Sequence, residues 1–314
     1  MSAPAIRTEG LGKVYRSGFL RRRWTGLEGL DLEVPSGCAF GFIGPNGAGK
    51  TTTIKTLMGL QTATTGRAWI HGVPVPEPAS RQRVGFLPER PFFYEHLTAR
   101  EFLDFYARLS EVPASTRATR VDTLLERVDL ARFRDVPLGT FSKGMLQRAG
   151  LAQALVADPD LLVLDEPMSG LDPLGRVLVR DLILEERAAG KTVFFSSHVL
   201  SDVEAICDRV AIVVGGRLRG QGSVRELLGS TTRHVDVVVR GVARNGEAWT
   251  PDPTGADLHL RLEPDEVDAT IDAVRAARGR VLSMVPAQRT LEQVLLDEVE
   301  RARPVNAARM GVLA

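Results

Sequence analysis

The stretch GPNGAGKTT, Gly44 to Thr52, has residue types and spacing suited to binding phosphate groups. It matches G-x-x-x-x-G-K-[ST], follows the apolar run CAFGFIG and opens the helical pattern TTTIKTLMGL. Gly47 and Gly49 can turn successive backbone N–H groups towards one phosphate oxygen, and a helix N-terminus adds partial positive charge there. A chance Gly-rich turn is the alternative, and the flanking strand and helix patterns argue against it. The candidate nucleotide-binding residues here are Gly44, Asn46, Gly47, Gly49, Lys50, Thr51 and Thr52.

Two side chains of this stretch and two acidic residues further on could perform phosphoryl chemistry. Lys50 would place an ammonium group on the β- and γ-phosphates, and the Thr51 hydroxyl would be a Mg²⁺ ligand. LLVLDEP places Asp165 and Glu166 at the carboxyl end of a predicted buried strand, where open α/β sheets bind ligands. Asp165 can hold Mg²⁺ through a water molecule, and Glu166 can polarise an attacking water. The alternative is a helix cap, which the following Pro167 disfavours.

Two further segments carry residues that could meet a phosphate. His198 ends the predicted strand KTVFFSSH at the same sheet edge, so we expect a γ-phosphate contact rather than a purely structural histidine. FSKGMLQR contains Ser142 and Gly144 ahead of an apolar helical pattern, which is typical of an anion-binding helix start. On residue types alone this segment is a possible helix start with two anion-friendly residues, about a hundred residues after the cradle.

The apolar patterns predict an α/β fold for the elements that position these residues. Short apolar segments separated by turn residues predict antiparallel strands in the first 40 residues. The continuous runs LLVL and TVFF predict strands of a mainly parallel sheet covered on both faces. Helical periodicity at about 90–160 predicts a helical subdomain inserted into this sheet.

A second domain is predicted after a linker at 229–233. The strand patterns HVDVVVRGV and DLHLRLE and the helical pattern DEVDATIDAVRAARG predict a small α+β unit, and TLEQVLLDEVERAR predicts a further amphipathic helix. We therefore expect one domain at 1–230 and a small accessory or dimerisation domain at 231–314. The C-terminal helices could serve as dimer contacts, as a regulatory module or as plain domain core.

Composition excludes several classes of protein. The 314 residues include 40 Lys and Arg against 39 Asp and Glu, a net charge of +1, so we expect no nucleic-acid partner. Cys38 and Cys207 lack metal-ligand spacing and are expected to be buried, reduced thiols. The sequence has neither a secretory signal nor an apolar run of about 20 residues that could span a bilayer. These features predict a soluble cytoplasmic protein.

Residues 5 to 230 resemble the ATP-binding subunits of ABC transporters, because the cradle, the acidic pair and His198 occur in that family's order. FSKGMLQR is similar to the family's signature L-S-G-G-Q, and SGLDP, with Asp172, matches the loop after the acidic pair. Tyr15 stands where the family has its adenine-stacking aromatic residue. The resemblance implies a P-loop NTPase (RecA-like) fold that hydrolyses ATP with Mg²⁺. It adds Tyr15, Ser142, Gly144 and Asp172 to the ATP-binding residues.

Departures from the family pattern point to one branch. Glu89 replaces the usual Gln after VGFLPE and adds a carboxylate near the metal, while Lys143 and Met145 replace Gly and Gln in the signature. These resemble the efflux-type branch, in which the ATPase and the membrane permease are separate chains. The C-terminal RTLEQVLLDEV is similar to the LEDVF-like helix that ends many such subunits.

The family likeness implies an exporter ATPase with two kinds of partner. One is a transmembrane permease, which would hold the chain at the cytoplasmic face of the plasma or inner membrane. The other is a second copy or a homologous ATPase subunit, packed head to tail with two ATPs between them. A non-transport ATPase of DNA maintenance or translation is the alternative, and would need a coiled-coil insertion, zinc cysteines or a second cradle, none of which is present. An import ATPase fits Glu89 and the altered signature less well, and a metabolic P-loop kinase leaves the signature, Asp172 and His198 unexplained.

Two surface features have two readings each. Phe92, Phe93 and Tyr94, just after Glu89, could be buried aromatics or a hydrophobic socket for the permease. The basic run RSGFLRRRW, with Arg16 and 21–23, could meet anionic lipid or an acidic permease loop. A solvated loop between two strands is the simpler interpretation of that run.

Overall fold

A computed structural model describes residues 3–17, 22–229, 234–245, 248–252, 254–287 and 289–302. One compact unit comprises residues up to 224 together with 295–302, and 225–294 form a second compact unit. The chain thus divides at 224/225, where the sequence predicted a boundary at 230/231, and of the predicted linker only Gly229 is described.

The strands of the first unit form two sheets, and its helices cover them. The strands are β1 (Ile6–Ser17), β2 (Arg22–Val34), β3 (Ala39–Ile43), β4 (Thr65–Ile70), β5 (Val73–Pro74), β6 (Val84–Leu87), β7 (Leu161–Asp165), β8 (Thr192–Ser197), β9 (Arg209–Val214) and β10 (Arg217–Ser223). The helices are α1 (Lys50–Leu57), α2 (Ala99–Leu109), α3 (Ala114–Arg127), α4 (Lys143–Leu155), α5 (Pro173–Ala188) and α6 (Leu200–Ile206), followed by α7 (Val224–Leu228) at the unit boundary.

The central sheet has the order β10-β9-β3-β8-β7-β6, and all neighbours are parallel except the β10–β9 pair. Every residue of β3, β7 and β8 is buried, as expected for strands covered on both faces. Ile43 pairs with Ser197, and Asp165 pairs with Ser196. The carboxyl ends of β3, β7 and β8 therefore meet at one edge.

The N-terminal segments form the predicted antiparallel sheet, in the order β2-β1-β4-β5. Ile6 and Leu30 of this sheet share one buried cluster with Phe40 of β3, Ile54 of α1 and Phe194 of β8. This common core fixes α1, and the loop before it, between the two sheets. Of the predicted basic run, Arg16 lies on β1 and Arg22 and Arg23 lie on β2, whereas residues 18–21, with Arg21, lie outside the described residues.

The predicted helical subdomain is present as α2, α3 and α4. Thr98 and Glu101 form a capping box at the start of α2, with both reciprocal hydrogen bonds made. Val121, Leu124 and Leu125 form the buried face of α3. The predicted fold class, a P-loop-type α/β unit with an antiparallel subdomain and a helical insertion, is confirmed.

The second unit is a small α+β fold. Its elements are β11 (His234–Arg240), β12 (Val242–Asn245), β13 (Ala248–Pro251), β14 (Asp257–Leu262), α8 (Val267–Ala276), β15 (Arg280–Ala287) and the start of α9 (Leu291–Ala302). The antiparallel sheet has the order β14-β11-β15, and β12 and β13 form a separate hairpin. Val237 and Val239 of β11 pack with Val274 of α8 in its core. Nowhere in the described part of the chain is a helix long and apolar enough to cross a membrane.

Candidate nucleotide-binding site

The predicted phosphate cradle is the loop between β3 and α1. Gly47 has a φ of 78°, and Gly49, the N-cap of α1, has a φ of 106°. Residues with a side chain rarely adopt either backbone conformation. A Cβ at Gly49 would also lie 2.7 Å from the carbonyl oxygen of Gly26. Glycine is therefore required at Gly49 by both backbone angle and space, and the loop leaves the α1 N-terminus open to an anion.

Lys50 is a buried cation held by oxygen atoms. Its ammonium donates to the carbonyl oxygens of Gly44, at 2.8 Å, and Pro45, at 3.4 Å. It also lies 3.7 Å from Glu166 Oε1, with only 7% of its side chain exposed. A phosphate group entering the cradle would offer this cation stronger acceptors than the two carbonyls.

Glu166 sits at the end of β7 in an unusual backbone conformation. Its φ is 54°, its N–H donates to Ser196 Oγ at 2.9 Å, and its carbonyl accepts from the Ser169 N–H at 3.0 Å. One carboxylate oxygen faces Lys50 and the other lies 2.7 Å from His198 Nδ1. Lys50, Glu166 and His198, all predicted site residues, therefore form one contact chain.

Asp165 lies beneath this chain and is only 2% exposed. It accepts hydrogen bonds from Ser196 Oγ, at 2.6 Å, and from the Thr51 hydroxyl. Burial raises the pKa of Asp165, and the nearby charges of Glu89 and Glu166 raise it further, whereas the two hydroxyl donors act in the opposite direction. A cation in contact with Asp165 would relieve that penalty on its charged form.

An open cleft of about 670 Å³ lies over the cradle. Tyr15 and Trp24, which pair across β1 and β2, form one wall, with ring centroids 5.0 Å apart. Tyr15 is held in place because its hydroxyl donates to Gln61 Oε1 at 2.8 Å, while Trp24 is 58% exposed. The cleft is lined by Tyr15, Trp24, Thr25, Gly26, Asn46, Gly47, Ala48, Gly49, Lys50, Thr51, Thr52, Glu89, Glu166, Ser169 and His198.

Most of the predicted site residues thus line one cleft. The others lie either in an adjoining pocket or outside the cleft. Asp165 shares a smaller adjoining pocket of about 290 Å³ with Thr51 and Glu89. Ser142, Gly144 and Asp172 do not line the cleft.

The residues outside the cleft occupy two helix starts. Ser142 is the exposed N-cap of α4, where its Oγ accepts from the Met145 N–H at 3.3 Å. Asp172 is the N-cap of α5, where its carboxylate accepts from the Gly175 N–H at 2.8 Å. Within the chain the Ser142 and Asp172 side chains cap these two helices.

Sequence reasoning missed three residues that shape the site. Ser196 joins Asp165 to the backbone of Glu166, and its signal was a hydroxyl two residues before His198 on the same strand. Trp24 becomes visible only through the β1–β2 register. Gln147, buried on α4, donates to the carbonyl oxygens of Glu166 and Pro167, and its only signal was its place within the signature segment.

Comparison with known proteins gives consistent matches. The family model described as "ABC transporter" matches residues 27–169. An uncharacterised ABC transporter ATP-binding protein of Nostoc sp. (strain PCC 7120) is 43% identical, over 94% of this chain and 90% of the relative. The Nod factor export ATP-binding protein I of Ralstonia nicotianae is 36% identical, over 72% of this chain and 70% of the relative.

A solved dimeric ATP-binding cassette, in a post-hydrolysis state with ADP and Pi, has the same fold. Its TM-score is 0.65 at 22% identity, covering 70% of this chain and 99% of that structure. The likeness to the Nostoc relative spans nearly the whole of both proteins, and the cradle lies within the matched family region. The chain belongs to the ATP-binding proteins of ABC transporters.

Proposed function

We propose that this chain powers a membrane exporter by hydrolysing Mg²⁺-ATP at a site that two copies complete together. The observation that supports this most is the contact chain from Lys50 through Glu166 to His198, next to an open phosphate cradle. Phosphoryl transfer needs little covalent help from the protein, so catalysis rests on positioning and on charge stabilisation.

Each member of this chain has a role in the proposed reaction. Glu166 would accept a hydrogen bond from the attacking water and orient it towards the γ-phosphate. Lys50 would leave Glu166 for the phosphate oxygens, which frees the carboxylate for the water. His198 is hydrogen-bonded to Glu166 through Nδ1, so its Nε2 side remains for the γ-phosphate.

The residues present fit a Mg²⁺ ion. The oxygen ligands available are the Thr51 hydroxyl and the buried Asp165 carboxylate, with Glu89 beside them, and Mg²⁺ prefers oxygen ligands. Among the described residues no cluster of three or more His, Cys, Asp or Glu side chains could hold a metal alone. These residues suit an ion that takes some of its ligands from the protein and the rest from the substrate phosphates. The ion would neutralise negative charge on those phosphates.

Dimer closure would complete the site. Ser142 and Gly144 lie at the start of a 13-residue helix outside the chain's own cleft. Head-to-tail packing would bring this helix N-terminus to the γ-phosphate in the partner's cradle, where its partial positive charge is stabilising. ATP would then favour the closed dimer and hydrolysis the open one. The dimeric cassette with ADP and Pi offers a structural precedent in a protein of the same fold.

Export is supported by the Nod factor export relative and by the departures at Glu89, Lys143 and Met145. We place the permease contact at the aromatic cluster after Glu89, because Phe92 is 79% exposed. Phe93, in contrast, packs on Phe102 with ring centroids 5.3 Å apart. Binding to a permease would hold the chain at the cytoplasmic face of the membrane. No observation favours the DNA-maintenance or translation alternative.

The test is phosphate release by the purified chain with and without Mg²⁺. A shared site predicts Mg²⁺-dependent hydrolysis whose rate rises more steeply than linearly with protein concentration. Lys50→Ala should abolish nucleotide binding and hydrolysis, because the phosphates lose their closest cation. Arg67→Ala, which removes an exposed cation on β4 away from the cleft, should keep both. Hydrolysis that is strictly linear in protein, or unaffected by Lys50→Ala, would contradict the proposal.

A further inference from the structure

Gln147 is a buried amide on α4, about one turn beyond the start of that helix at Lys143. Its side chain is 5% exposed, and Nε2 donates to the carbonyl oxygens of Pro167, at 3.0 Å, and Glu166, at 3.3 Å. Buried side-chain amides are normally hydrogen-bonded, and these two bonds use both donors of Gln147 Nε2. The side chain therefore ties the signature helix to the turn that carries Glu166.

That turn needs support. Glu166 has a φ of 54°, a conformation that non-glycine residues adopt only when their surroundings enforce it. Its carbonyl accepts from both Gln147 Nε2 and the Ser169 N–H, and its N–H donates to Ser196 Oγ. Pro167 has no backbone N–H that could donate a hydrogen bond within the turn. The hydrogen bonds from the Gln147 amide therefore contribute to holding the Glu166 and Pro167 carbonyls in place.

The same face of α4 touches the rest of the loop. Gly144 lies beside Leu171, since a Cβ built at Gly144 would be in ordinary van der Waals contact with Leu171 Cδ2, at 3.5 Å. The Lys143 side chain lies so close over Gly170 that a Cβ there would come within 2.9 Å of Nζ. Residues 143, 144 and 147 are thus a continuous strip between the α4 N-terminus and the Glu166 turn.

We propose that Gln147 is a positioning residue for hydrolysis. It holds the Glu166 turn so that the carboxylate stays between Lys50 and His198, and it links the position of the signature helix to that carboxylate in the same chain. This role rests on the proposed function, because it presupposes that Glu166 activates the water. If α4 docks on a nucleotide bound by the partner, a shift of α4 would therefore change the position of Glu166 through Gln147.

The test is a double-mutant cycle between Gln147 and Glu166. Gln147→Met keeps the length of the side chain and removes its donors, and we expect kcat to fall about tenfold, which is about 1.4 kcal/mol of barrier. KM for ATP should stay within about twofold, because the residue does not touch the cradle. In a Glu166→Gln background, Gln147→Met should lower the residual rate no further, because it acts through the missing carboxylate.

The matched control is Gln153→Met, the same substitution further along α4 at a half-buried position away from the loop. It should leave kcat within about twofold in both backgrounds.

If Gln147→Met fails to fold, Gln147→Asn replaces it in the same cycle, since its shorter amide leaves room for a water to reach the carbonyls. An unchanged kcat in either variant would overturn the positioning role. So would a substitution that lowers kcat by the same factor in the Glu166→Gln background as in the wild-type background. A wild-type chain without ATPase activity would instead contradict the proposed function itself.

Discussion

Replacing Glu166 by glutamine removes a charge and a proton acceptor while keeping the shape of the side chain. In the wild type this carboxylate is 12% exposed and lies 3.7 Å from the Lys50 ammonium. Two unit charges at that separation attract by about 4 kcal/mol at an effective dielectric constant near 20, and desolvation offsets much of it. A phosphate must displace this partner to reach Lys50. We therefore expect Glu166→Gln to strengthen ATP binding by about tenfold, or about 1.4 kcal/mol.

The same substitution should nearly abolish turnover. Loss of a positioned general base lowers a rate by about 10²- to 10⁴-fold, and glutamine cannot take a proton from water. Steady-state phosphate release measures the rate, and equilibrium titration of the chain with ATP measures the affinity. Glu126→Gln, at an exposed position on α3, is the control and should change neither. A turnover within about tenfold of wild type, or weaker ATP binding, would refute the reasoning.

Two further predictions concern the cradle and the core. Gly49→Ala should lower the free energy of unfolding by about 2 kcal/mol more than Gly47→Ala, since only Gly49 combines a positive φ with a 2.7 Å approach to Gly26. In thermal denaturation that is a melting point about 4–8 °C lower, and equal melting points would contradict the steric argument. Burial raises the pKa of the Cys38 thiol from 9.0 to about 11, so a smaller fraction of it is thiolate at pH 8. Its reaction with a thiol-specific reagent at pH 8 should therefore be about 100-fold slower in the native chain than in the unfolded chain. The stabilisation from this buried thiol is present below pH 9.0 and is lost as the pH rises towards about 11, and equal native and unfolded reaction rates would show that the thiol is not buried.

The cradle, the acidic pair and His198 could be placed from the sequence because their signals are local. The cradle needs glycines, a lysine and a hydroxyl within nine residues, and the structure gives them the expected strand-loop-helix setting. Asp165, Glu166 and His198 follow buried strands, and parallel strands bring their carboxyl ends to one edge whatever the rest of the chain does. The α/β class and the mainly parallel sheet followed from the apolar periodicities, and the P-loop NTPase fold followed from the resemblance to the ABC transporter family.

The supporting contacts were not predictable because they join segments that sequence spacing does not relate. Gln147 meets the Glu166 carbonyl across 19 residues and Ser196 meets the Glu166 N–H across 30, and a buried amide or hydroxyl has no periodic signature. In the second unit, β11, β14 and α8 were found from their apolar periodicity, whereas the short β12–β13 hairpin and β15 were missed. β12 and β13 are four residues each, too short to carry an alternating apolar pattern that could be detected.

The central claim, a site shared between two chains, is tested most directly by sedimentation equilibrium of the Glu166→Gln chain with Mg²⁺-ATP or Mg²⁺-ADP. A dimer with ATP and a monomer with ADP is the expected result. Adding Ser142→Ala and Gly144→Asp should abolish the dimer and leave ATP binding by the monomer intact, since both residues lie outside the chain's own cleft. A Glu166→Gln chain that stays monomeric at saturating ATP, or a triple variant that still dimerises, would contradict the shared site.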